Sequence, residues 1–180
     1  MKYLLILVAL LGGGYQVYQN TATPPAPVEK GLDHYSFSAL FDYEVQFPKK
    51  PKVKYVTRFV PGSGDVRFEV RAVNYKGTGY MIFAGQVSNV FPDADEETLE
   101  SMVEAFRSEV SDVGEVYMVS QRDVQVSGFP AVEFVFKNEE VTLTSIVVKN
   151  GKTGYSINTY AKKGKTDLTK EFLESFKLLG

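Results

Sequence analysis

The chain has 180 residues, 44% of them hydrophobic, no cysteine and a formal net charge of −2. That length supports one domain with a self-sufficient core, and the missing thiol excludes disulfides, thiolate metal sites, a cysteine nucleophile and lipid attachment through cysteine. A charge this near zero gives no general reason to bind nucleic acid, and thirteen Phe and eleven Tyr without a Trp suit β-rich packing.

The first stretch reads as an address. One Lys precedes an apolar run over residues 3–11, and Gly12, Gly13 and Gly14 follow it. This is the pattern of an export signal, and it leaves two forms open: a peptide that is cleaved, or an anchor over 3–18. The sixteen residues of 3–18 fall short of the roughly 20 that span a bilayer. Tyr15 and Tyr18, however, suit a membrane interface. Three prolines then fall within four positions, so 21–33 reads as a semi-extended linker. The expected organisation is a leader at 1–20, a Pro-rich linker at 21–33 and a domain at 34–180. The expected location is periplasmic or otherwise extracytoplasmic, released or held at the cytoplasmic membrane.

Within the domain, 43–47 is a short strand stopped by Pro48. Over 53–60, Val53, Tyr55, Thr57 and Phe59 alternate with Lys54 and Arg58. After a Pro-Gly-Ser-Gly turn, Val66, Phe68, Val70 and Ala72 alternate with Arg67, Glu69 and Arg71, which predicts a strand with a polar outer face. Lys76-Gly77-Thr78-Gly79 turns again and 80–87 returns. Between 93 and 113 the period changes to three and four, predicting an amphipathic helix with Asp93 and Glu96 as its capping box. Strand patterns resume at 115–126, interrupted by Gln121-Arg122-Asp123, and continue at 132–136, where Val132, Phe134 and Phe136 share a face. The run 141–148 is almost continuously apolar or β-branched, as a central strand is. Asn150-Gly151 is a strong hairpin signal, 155–160 completes the hairpin, and a helix is predicted over 167–179, capped by Thr166 or Asp167. The fold class is α+β: an antiparallel sheet of about six to eight strands flanked by helices, after a leader helix.

Little catalytic chemistry is available. The only histidine, His34, sits at the linker edge, so neither a Ser–His–Asp arrangement nor an imidazole metal site can be assembled. Glu44, Glu69 and Glu133 lie on strands and could act as a hydrolytic pair if two converged. Glu69, between Arg67 and Arg71, fits a solvated sheet face better. Asp93 to Glu97 resembles the opening of a calcium loop but has Thr98 where glycine is needed. The pairs Gly62/Gly64 and Gly77/Gly79 lie between strands, as hairpin turns do, and not before a helix as phosphate loops do. Two basic clusters, Lys49, Lys50, Lys52, Lys54 and Lys162, Lys163, Lys165, are candidate contacts for an anionic surface or an acidic partner. Edge protection against aggregation is the plainer reading of the same lysines.

The C-terminal half carries a resemblance. A Gly-Phe-Pro-Ala turn at 128–131 enters an apolar strand, Asn150-Gly151 tips the next hairpin, Gly-Tyr-Ser-Ile follows at 154–157, and Leu173-Glu174-Ser175-Phe176 lies in the last helix. With the Phe47-Pro48 start, residues 41–179 resemble the PsbP/Mog1-like superfamily of α/β/α sandwiches. The resemblance implies a non-enzymatic binding or assembly module, since its members associate with photosystem II or with a small GTPase. The leader places the GTPase in another compartment, and nothing in the chain points to photosynthesis, so exported bacterial-type members are the nearer comparison. The expectation is therefore an exported, non-enzymatic protein-binding accessory domain of the cell envelope. It needs no cofactor and no nucleic acid, its partner is an envelope protein, and its N-terminal segment touches the membrane. The alternatives are a small-ligand or lipid carrier with an aromatic cavity and, last, a carboxylate hydrolase.

Overall fold

Turn chemistry sets the topology. In the computed structural model, which describes residues 31–60, 64–86, 116–165 and 168–179, Lys76-Gly77 and Ser127-Gly128 both take positive φ at each position (51° and 86°, 52° and 85°). Such primed turns match the twist of paired strands. They join β4 (Gly64–Tyr75) to β5 (Thr78–Gln86) and β6 (Tyr117–Val126) to β7 (Phe129–Lys137). The Asn150-Gly151 signal marks the right hairpin, between β8 (Val141–Asn150) and β9 (Thr153–Lys162). Its turn is centred one residue later, because Asn150 itself pairs with Thr153.

With β3 (Lys52–Val60), these strands form a seven-stranded antiparallel sheet in the order β3-β4-β5-β9-β8-β7-β6. The predicted interruption of β6 at 121–123 is absent; an irregularity lies between Met118 and Ser120 instead. The central placement of β8 and β9 is the one that their apolar runs required.

A second sheet covers one face of the first. It consists of β1 (His34–Ser38), β2 (Tyr43–Phe47) and β10 (Lys177–Leu178), in the order β1-β2-β10. Of the helices expected to flank the large sheet, the described residues contain one, α1 (Thr169–Ser175), which is short and lies beside a layer that is mainly β. The helix predicted over 167–179 therefore ends early. Phe176 turns extended (φ −74°, ψ 129°), its ring lies 5.3 Å from Tyr43 and 5.8 Å from Tyr155, and Leu178 then pairs with Tyr43. Core packing and a strand pairing outweigh helical continuation there. The leader, the linker through residue 30, the helix predicted over 93–113 with its acidic start, Gly62, Thr166 and Asp167 lie outside the described residues.

Between the two sheets, Tyr43, Val45 and Phe47 of β2 and Phe172 of α1 are fully buried against Tyr80, Ile82, Val148 and Ile157 of the large sheet. Phe172 is the centre of this layer, 5.1 Å from Phe47 and 5.3 Å from Tyr80. Such ring pairs add about 0.5–1.5 kcal/mol each beyond the area they bury. On the other face of the large sheet, Phe68, Met81 and Phe83 form a smaller cluster. Beside it, Asn158 Oδ1 accepts from Ser145 Oγ (2.5 Å) and Ser156 Oγ (3.1 Å), which satisfies a fully buried polar group.

Candidate functional site

The face of β4 that carries Glu69 and Arg71 is the face that the small sheet covers. Glu69 is 0% exposed, which corrects the solvated outer face read from its alternation with arginines. The Arg71 guanidinium donates to both carboxylate oxygens, Nε at 2.8 Å and Nη2 at 3.2 Å. Tyr43 of β2 donates to the same carboxylate at 2.8 Å and Tyr55 of β3 at 2.9 Å. Arg71 Nη1 reaches Ser36 Oγ of β1 at 2.6 Å. Ser38 Oγ is buried near the cluster without a hydrogen bond of good geometry. Burial alone would raise the Glu69 carboxyl, but the hydrogen bonds from Arg71, Tyr43 and Tyr55 outweigh it and hold the group below its ordinary value. Burial and the neighbouring carboxylate push the Tyr43 phenol well above its usual range. Every charged group in this cluster is matched, so it fixes the register of small sheet on large sheet and offers no spare acid or base.

The other two strand carboxylates are held elsewhere. Glu133 on β7 takes a two-pronged contact from Arg122 (2.7 and 3.0 Å). It lies four strand steps from Glu69 in the sheet order, or roughly 19 Å at about 4.8 Å per step. Glu44 lies on the outer face of the small sheet, where Tyr35 donates to it at 2.5 Å and Lys177 stands 3.6 Å away. No two of the three converge, so the pair that a carboxylate hydrolase needs is not formed by them.

Glu44 instead helps to line a groove of about 480 Å³ between the outer face of β1–β2 and α1. Tyr35 and Leu32 form one wall, Glu171, Glu174 and Ser175 the other, and Lys177 closes it. The Ser175 hydroxyl accepts from the Gln46 N–H (3.0 Å) and donates to the Phe172 carbonyl (2.7 Å), fixing helix to strand. Glu174 lies 3.9 Å from Lys170. Three carboxylates and one ammonium thus line the groove, with Lys170 beside Glu174 at its rim. Beside the groove, Tyr35 and Phe37 project outward from β1, 57% and 46% exposed, and β1 has a neighbour on one side only in the described sheet. Sequence reasoning missed this site. Tyr35, Glu44 and Glu171 become neighbours only through β1 pairing with β2 and α1 folding back, and no local pattern encodes that.

The lysines singled out by sequence are all exposed. Lys52 and Lys54 lie on the edge strand β3, Lys49 and Lys50 in the connection before it, and Lys162, Lys163 and Lys165 at the end of β9 and just beyond. None forms an ion pair among the described residues. His34 opens β1 opposite Phe47.

The described residues therefore have a PsbP-like fold: mostly antiparallel sheets, seven strands faced by three, with one short helix. Cyanobacterial PsbP (CyanoP) from Synechocystis sp. PCC 6803 has this fold, with a TM-score of 0.58 over 87% of this chain and 98% of that one, at 13% sequence identity. A protein of unknown function from Pseudomonas aeruginosa, PA94, aligns with a TM-score of 0.33 at 12% identity, over 73% of this chain and 85% of that one. No family model matches the chain, and no curated protein matches it.

Proposed function

We propose that this chain is an exported, non-enzymatic accessory domain of the cell envelope that binds another envelope protein. The observation that carries the reading is the groove between β1–β2 and α1: three carboxylates beside two outward aromatic rings on a sheet edge that has one open side among the described residues. Such an edge accepts an extended segment by backbone pairing, and the carboxylates favour a partner strand carrying basic residues. The PsbP-like fold supports a non-catalytic role, as does the separate matching of Glu44, Glu69 and Glu133 with Lys177, Arg71 and Arg122. A carrier needs an enclosed apolar cavity. The interlocked rings of Tyr43, Phe47, Phe172 and Phe176 between the sheets favour surface docking instead. The apolar run at 3–11 supports export, with the domain released or held at the membrane.

The test places a photo-cross-linking residue at Tyr35, or at Lys152 on a distant turn, in the full-length protein in cells. One reproducible envelope protein captured from Tyr35 alone, and lost in the folded variant E171K/E174K, supports the reading. Equal capture from both positions, or none from Tyr35, refutes it.

A further inference from the structure

The two lysine groups, distant in sequence, come together at one end of the seven-stranded sheet. Lys162 N–H bonds the Gly77 carbonyl (3.4 Å), and the Lys165 side chain lies against Gly77, next to Lys76. β2 runs toward this same end: Phe47 packs on Phe172, and Phe172 on Tyr80, close to where β5 starts at Thr78. Lys49 and Lys50 follow Phe47 after Pro48, and Lys52 opens β3. All are exposed, none pairs with a carboxylate among the described residues, and Lys76 only stacks on Tyr75 (5.0 Å). Three carboxylates share this end: Glu139 and Glu140, in the turn whose carbonyl at Glu140 accepts from Lys163 N–H (2.8 Å), and Asp33, just before His34. The turns at the other end, Ser127-Gly128 and Gly151-Lys152, bring one lysine.

β1 pairs antiparallel with β2, His34 opposite Phe47, so the chain joins the domain at the basic end, downstream of the prolines and the apolar run at 3–11. We propose that this basic end lies against an anionic phospholipid bilayer, the one to which the apolar run delivers the chain; this rests on reading the protein as exported and membrane-held. Each lysine near an anionic surface strengthens binding roughly fivefold. Thirteen residues, 21–33, can reach at most roughly 45 Å even fully extended, so even weak contacts are taken up at high effective concentration. The opposite end of the large sheet is then turned away from the membrane.

Because the chain has no cysteine, a single introduced one gives a unique label. Full-length E139C, at the basic end, and K152C, at the opposite end, each carry a donor fluorophore. They are added to phosphatidylcholine vesicles, with or without phosphatidylglycerol, that contain headgroup-labelled acceptor lipid, and co-flotation is measured in parallel. The expected result is stronger energy transfer from E139C than from K152C, only with phosphatidylglycerol, and lost with added salt. In K49Q/K50Q/K162Q/K163Q the transfer falls several-fold while flotation through the apolar run persists. Equal transfer from both ends, transfer independent of phosphatidylglycerol, or no flotation with either lipid overturns the proposal. If the quadruple variant loses Tyr35 cross-linking while its vesicle signal is unchanged, the lysines serve an acidic protein face and the proposal is again overturned. Cross-linking from Tyr35 and transfer from E139C are read independently, so partner docking and bilayer contact can fail separately.

Discussion

Replacing Glu69 with Leu should be among the most damaging single changes in this protein. The carboxylate is fully buried and accepts four hydrogen bonds, two from Arg71, one from Tyr43 and one from Tyr55. Removing it leaves the Arg71 guanidinium buried without its counter-charge, a loss of about 3–5 kcal/mol, and orphans the Tyr43 hydroxyl, about 1–3 kcal/mol more. R71L should cost a similar amount for the opposite charge. The triple variant E69L/R71L/Y43F removes every charge and the orphaned hydroxyl together, and replacing a whole buried ion pair by apolar groups is close to neutral. It should therefore lie much nearer wild type than either single variant does. Urea denaturation of the four proteins at neutral pH, with equal m-values as the check that the unfolded states match, measures this directly. Single variants within about 1 kcal/mol of wild type, or a triple variant as unstable as the sum of its parts, would refute the account of a matched, sealed ion pair.

The pH dependence has a definite sign. The folded Glu69 carboxyl titrates below its ordinary 4.5, so its stabilisation is complete above that pH and is lost as pH falls through the lower folded value; E69Q should flatten the loss of urea midpoint on acidification from about pH 5 downward. Phe172→Ala deletes a fully buried ring that bridges β2, α1 and β5, and should cost about 3–5 kcal/mol by thermal or urea unfolding. A Cβ at Gly85 would sit 2.2 Å from the Phe68 ring. Gly85→Ala should therefore cost about 1–3 kcal/mol, and adding Phe68→Leu should recover part of that loss; an equal or greater loss in the double variant would show that the ring is not the obstacle.

Most of the large sheet could be read from local signals. Ser127-Gly128 and Lys76-Gly77 can adopt the turns that hairpins favour, and the period-two runs on either side fix which residues share a face. The alternation in β4 is legible in the sequence, but the burial of both its faces at Phe68, Glu69 and Arg71 is not. Arg67, Glu69 and Arg71 look like a solvated face until Tyr43 arrives from a distant strand to complete the carboxylate's hydrogen bonding. β1 carries no readable pattern for the same reason: Ser36 and Ser38 point inward, toward Arg71 and Glu69, while Tyr35 and Phe37 point outward, reversing the expected polarity. The periodicity that predicts the last helix holds at Phe172, but the helix stops before Phe176, because ring packing and the pairing of Leu178 with Tyr43 are long-range demands. The groove depends on β1, β2 and α1 together and so left no trace in any one segment.

The sheet order has a consequence for how the chain reaches this structure. β3–β5 and β6–β9 are each meanders of sequence neighbours, able to zip up hairpin by hairpin, and they meet along one seam, β5 against β9, where Thr78 faces Ala161 and Gln86 faces Thr153. A still longer closure joins Glu44 to Lys177 across the small sheet. Closing such loops costs entropy before any contact returns it, which places folding in the millisecond-to-second range typical of non-local β proteins. The weakest moment in the life of this fold is therefore two half-sheets with the apolar seam at Ile82 and Ile157 still open.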